Sequence, residues 1–105
     1  MLVHLEPTGL SVKQSGPDEY LVLGQDQEIL VDVGFQCGPI PANGVNGATI
    51  ESLIAIALHR TQTLNGKFPC TENEVAIDSM KAALAALNER TAKRIARGVE
   101  GKEVK

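Results

Sequence analysis

Three arginines near the end of the chain, Arg90, Arg94 and Arg97, recur at i, i+4 and i+7. On an α-helix this spacing puts all three on one face within two turns. A guanidinium presents a planar fork of donors that matches phosphate bidentately, and its charge does not titrate away. Three such groups repel one another unless an anion or carboxylates lie between them. The chemistry on offer is therefore recognition of a compact, phosphate-bearing ligand. The plainer alternative is a solvated helix end, its cations favoured by the C-terminal dipole and offset by Glu89, Glu100 and Glu103.

The charge distribution sharpens the choice. The 105 residues carry a formal charge of −3, which argues against a nucleic-acid polymer as partner. From Met1 to Leu87 there are four basic against ten acidic residues. From Asn88 to Lys105 there are six basic against three acidic. A positive end on a negative body suits a small anion.

Catalytic signatures are missing by inspection. There is no serine elbow, no His-Glu-x-x-His and no glycine-rich phosphate loop. Cys37 and Cys70 form no Cys-x-x-Cys pair, and His4 and His59 complete no ligand cluster, so neither metal nor cofactor is expected. His59 reads as a surface residue on a helix flank. The carboxylates Glu72, Glu74 and Asp78 fall where the N-terminal dipole of a helix favours them. No leader peptide and no apolar run near ~18 residues is present, which predicts a cytoplasmic protein without membrane contact.

The elements that would position these residues follow from periodicity. Leu2–Leu5, Leu10–Lys13, Tyr20–Leu23 and Glu28–Val33 are short β-prone runs separated by Gly, Pro and Asp clusters, the pattern of an antiparallel meander. Such a sheet cannot cover its own apolar face. Gly34 to Gly47 reads as a loop, with Asn43-Gly44 and Asn46-Gly47 favouring left-handed backbone. It is either a functional loop or a spacer. Ile50, Leu53, Ile54, Ala57, Leu58 and Thr61 predict a helix from about Thr49 to Leu64, stopped by Asn65-Gly66. Thr71 and Glu74 form a Thr-x-x-Glu capping box for a second helix. Ile77, Met80, Leu84, Leu87, Thr91 and Ile95 stripe that helix, and Gly98 is its expected stop. Ala82, Ala83, Ala85, Ala86, Ala92 and Ala96 give it a second apolar face of small side chains, which a hairpin alone cannot bury. The expectation is one α+β domain over residues 1–105: a β-rich part at 1–34, a loop at 35–48, an antiparallel helical hairpin at 49–98 and a tail at 99–105. Either the sheet or another subunit must cover the alanine face, and self-association is the expectation.

At the hairpin the residues become specific. The run Arg60…Leu64-Asn65-Gly66-Lys67-Phe68-Pro69-Cys70-Thr71-Glu72-Asn73-Glu74 precedes Ala83-Leu84…Leu87-Asn88-Glu89-Arg90-Thr91…Arg94 and Arg97-Gly98-Val99-Glu100-Gly101. This resembles the hairpin domain shared by two groups of phage anti-defence sponges, the Thoeris anti-defence proteins and the anti-CBASS cyclic-nucleotide binders. Gly34-Phe35-Gln36-Cys37-Gly38-Pro39-Ile40 and Gly44-Val45-Asn46-Gly47, joined to a β-rich start, are similar to the Thoeris group in particular. The resemblance implies sequestration, without cleavage, of a cyclic ADP-ribose isomer made by a TIR-domain enzyme in the host bacterial cytoplasm. It also implies that cyclic di- or trinucleotides are taken in addition or instead. It maps the two helix arginines of the family pocket onto Arg90 and Arg94, where they meet the diphosphate, and a polar residue onto Asn73. A family aromatic maps onto Leu64, a departure, because leucine cannot stack a base. Phe68 is either the replacement ring or a core residue beneath the turn. Arg97 and Arg60 are additional ligand-binding candidates.

Helix geometry adds a constraint. Asn73 and Arg90 are 17 positions apart, roughly 25 Å at 1.5 Å per residue. A cyclic ADP-ribose spans only about 10 Å. If both residues line one pocket, two subunits must lie antiparallel, giving two equivalent composite sites in a dimer, alone or within a trimer of dimers.

Overall fold

The computed structural model describes residues 1–97. The protein is α+β, a four-stranded antiparallel sheet followed by helices. Strands β1 (Leu2–Leu5), β2 (Ser11–Gly16), β3 (Glu19–Leu23) and β4 (Ile29–Gly34) pair in chain order, as a meander must. A short helix α1 (Ile40–Asn43) comes next, then α2 (Ile50–Lys67) and α3 (Thr71–Ala96). The chain forms two compact units. Among the described residues, one comprises Met1–Cys37 with Val45–Ala48, and the other comprises Gly38–Gly44 with residues 49–97.

In the first unit, register is set by paired apolar residues. Val12 faces Val22, Val22 faces Val31, and Tyr20 faces Val33. Leu23 is buried, whereas Leu2, Leu5, Ile29, Leu30 and Val31 remain about half exposed or more. The sheet thus leaves apolar surface open, as its small size dictates. Beyond β4 the chain is tied down by Asn46. Its side-chain carbonyl accepts from the Cys37 amide at 2.8 Å, and its amide donates to the Cys37 carbonyl at 2.8 Å. Phe35 bridges Ala48 in parallel pairing.

This segment differs from expectation in two ways. It holds the one-turn helix α1 rather than continuous loop. Left-handed backbone occurs at Gly38 and Gly44, but not at Gly47. Gly47 is required for a different reason, because a Cβ there would fall well inside contact distance of the Phe35 carbonyl.

The second unit is built on the α2–α3 hairpin. Leu53, Ile54, Leu58 and Thr61 of α2 and Ala76, Ile77, Met80, Leu84, Leu87 and Thr91 of α3 are half-buried. These are the expected stripes, except that Ile50, Ala57 and Ile95 lie exposed. Thr49 caps α2, its hydroxyl accepting from the Ser52 amide at 3.1 Å.

The turn corrects the expected helix ends. Asn65-Gly66 does not stop α2, which runs on to Lys67. It stops at Phe68, because the residue before Pro69 is sterically barred from helical backbone. The side-chain carbonyl of Asn65 instead reaches over the turn to accept from the Cys70 amide at 3.1 Å. That bond holds Cys70 extended, so Cys70 rather than Thr71 is the cap of α3. Its Sγ accepts from the Asn73 amide at 3.4 Å. The expected stop at Gly98 and the tail at 99–105 lie outside the described residues.

Candidate functional site

The hairpin delivers the site residues to two separate places. Leu64 and Phe68 end α2 and Asn73 begins α3, so these three sit at the turn. Phe68 is 73% exposed, so it is not a core residue beneath the turn. Leu64 is exposed and Asn73 half-buried. Cys70 ties the Asn73 backbone amide through its Sγ.

Arg90, Arg94 and Arg97 lie at the opposite, open end of the hairpin. Arg90 and Arg97 are exposed, while Arg94 is half-buried. Arg90 and Arg97 line a shallow depression together with Ala86, Glu89, Lys93 and Ala96. Its floor is alanine and its rim is mostly cationic, which suits a flat apolar body carrying anionic groups. Within this face Glu89 is already matched to Lys93 at 3.2 Å, one turn away. A pair so exposed contributes little to stability.

Because α3 is continuous, Asn73 and Arg90 stay roughly 25 Å apart within one chain. The structure brings Arg90, Arg94 and Arg97 together, and Leu64, Phe68 and Asn73 together, but not the two sets with each other. Arg60 does not join the three arginines. It lies nine positions beyond Glu51 along α2, roughly 13 Å from the level of Arg90.

One residue of the site was not anticipated. The carboxylate that faces Arg90 belongs to Glu51, in the first turn of α2, with an oxygen 3.9 Å from the guanidinium. Its second oxygen accepts from the Thr91 hydroxyl at 2.8 Å. Glu89 pairs with Lys93 instead, and Glu100 and Glu103, the other carboxylates expected among the arginines, lie outside the described residues. A signal for Glu51 did exist. In an antiparallel hairpin, positions equidistant from the turn face each other, and counting outward from Pro69 brings Glu51 to within about a turn of Thr91.

Among the described residues, no group of three His, Cys, Asp or Glu side chains is placed to hold a metal ion. No helix among the described residues is long and apolar enough to cross a membrane.

Comparison with known proteins gives two matches. Residues 27–92 match the family described as Acb2/Tad1, hairpin domain. The match spans β4 to Ala92 and so includes Leu64, Phe68, Asn73 and Arg90, but ends before Arg94 and Arg97. The chain is also similar to Thoeris anti-defense 1 of Bacillus phage SBSphiJ7. The two are 48% identical over 73 residues, which make up 69% of this chain and 51% of that protein. The chain thus spans about half the length of this curated relative.

Proposed function

This chain belongs to the family of the Acb2/Tad1 hairpin domain, and from that membership we propose that it is a phage anti-defence protein that sequesters a cyclic ADP-ribose isomer without cleaving it. The observation that carries the reading is the cationic face at the open end of the hairpin, where Arg90 and Arg97 rim an alanine-floored depression beside Arg94. Arg90 and Arg94 bind the diphosphate by charge-assisted hydrogen bonds. Asn73 hydrogen-bonds the ligand from the other side, and Phe68, whose ring is exposed, stacks on its base. Since the two sets of residues are far apart in one chain, each pocket takes its arginines from one subunit and Asn73 from its antiparallel partner. The exposed alanines of α3 permit the close helix approach that such a dimer, or a trimer of dimers, requires.

The test is direct. The purified chain is loaded with the messenger, freed of excess, and heat-denatured, and the released material is weighed by mass spectrometry. Recovery of the intact messenger is the expected result. Recovery of a linear hydrolysis product, or of nothing, overturns the proposal. Parallel titration with cyclic di- and trinucleotides separates the second reading, in which those ligands are taken in addition or instead.

Leu64 offers a further check. It is 37% exposed at the turn, so a larger ring there meets no packed core. Leu64→Phe should restore a stacking surface and tighten messenger binding by about 0.5–1.5 kcal/mol. An unchanged dissociation constant in calorimetry would remove Leu64 from the pocket.

A further inference from the structure

Arg90 is compensated without being occupied. Its guanidinium stands 3.9 Å from Glu51, beyond hydrogen-bond distance, so its charge is offset while its donors take no hydrogen bond among the described residues. The side chain is half exposed, whereas that of Glu51 is only 17% exposed. Glu51 is also fixed in orientation, by an unusual choice of partner. Thr61, Thr63 and Ser79 each donate back to the carbonyl four residues earlier in their own helix. Thr91 instead donates across the hairpin to Glu51, 40 residues away in sequence. The bond holds one carboxylate oxygen and leaves the other turned to Arg90.

We propose that Glu51 is a positioning residue for Arg90, a built-in counter-ion, anchored by Thr91, that an incoming phosphate must displace from the guanidinium. The inference rests on the reading of Arg90 as a phosphate-binding residue. Three consequences follow. In the empty protein, Glu51 relieves repulsion among the clustered cations and keeps Arg90 aimed at the open end. On binding, exchange costs little, because no hydrogen bond between the two has to break. The resident carboxylate also opposes every anion that approaches, so it lowers the site's affinity for ordinary phosphates and leaves only ligands with further contacts able to stay.

The experiment uses the full chain and inorganic pyrophosphate as the probe, titrated by calorimetry at low salt. Glu51→Gln keeps an oxygen for Thr91 and removes the charge. Pyrophosphate should then bind about fivefold more tightly, the size expected for one charge lost near 4 Å in a watery environment. The gain should shrink in 0.5 M chloride, where the Debye length falls to a few ångström. A purely structural role would lower Tm without tightening binding. Arg90→Lys tests the phosphate site separately from its counter-ion. If it weakens pyrophosphate binding while Glu51→Gln binds as the wild type does or more weakly, the counter-ion role is overturned and the phosphate site stands. If Arg90→Lys and wild type bind alike, or if neither binds, the phosphate site and the counter-ion role fall together.

Discussion

Arg90→Ala should weaken binding of the cyclic ADP-ribose isomer by about 1.5–3 kcal/mol, a loss of roughly 10- to 150-fold in affinity. The magnitude is that of a charged hydrogen-bond donor removed from a phosphate. The fold should be little disturbed, because the Arg90 side chain is half in water and its ion pair with Glu51 is long. Tm should therefore move little while the dissociation constant moves greatly. Calorimetry with wild type and variant side by side checks both. Equal affinities would mean that the cationic face is a solvated helix end and nothing more. Arg94→Ala makes a poorer probe, since Arg94 is half-buried in the hairpin and its loss changes packing as well as charge.

A second large effect should appear when two defective variants are mixed. Asn73→Ala and Arg90→Ala, each alone, should bind the messenger poorly. Co-refolded in equal amounts, they should regain binding at one of the two pockets in each mixed dimer, about a quarter of all pockets when subunits pair at random. In such a dimer one pocket joins intact Asn73 to intact Arg90, and the other collects both defects. Titration stoichiometry reads the result. A mixture that binds no better than its parts would mean that each pocket lies within one chain. Recovery would be hard to explain otherwise, because one continuous α3 holds the two residues roughly 25 Å apart.

The strands and the hairpin were legible because their signals are local. Alternation in β4 and the turn clusters around Pro7, Pro17 and Asp26 specify a meander with little help from distant residues. The half-buried stripe from Ile77 to Thr91 follows the same logic at helical period. What escaped depended on contacts that exist only once the chain has folded back. Asn65 is a good helix stop until the Cys70 amide arrives to bind its side chain. Thr71 makes a sound capping box until that same bond fixes Cys70 as the boundary residue. Glu51 looks like an ordinary first-turn acid until the hairpin register delivers Thr91 and Arg90 to it. Gly47 matched a left-handed turn signal, yet its demand is for room beside the Phe35 carbonyl. In each case the residue type was informative and its partner was not, because the partner lies several residues or an entire helix away.

The unbroken run of α3 from Thr71 to Ala96 also acts as a ruler. One inserted residue would lengthen the Asn73–Arg90 interval by only 1.5 Å but swing one end by about 100° relative to the other, pointing the arginines elsewhere. Length is therefore a coarse instrument for retuning this hairpin, usable only in whole heptads or near-whole turns. The side chains at its two extremities can change one at a time without disturbing the spacing. Diversification toward new messengers should accordingly be written in tip residues such as the one at position 64, over a shaft of constant length.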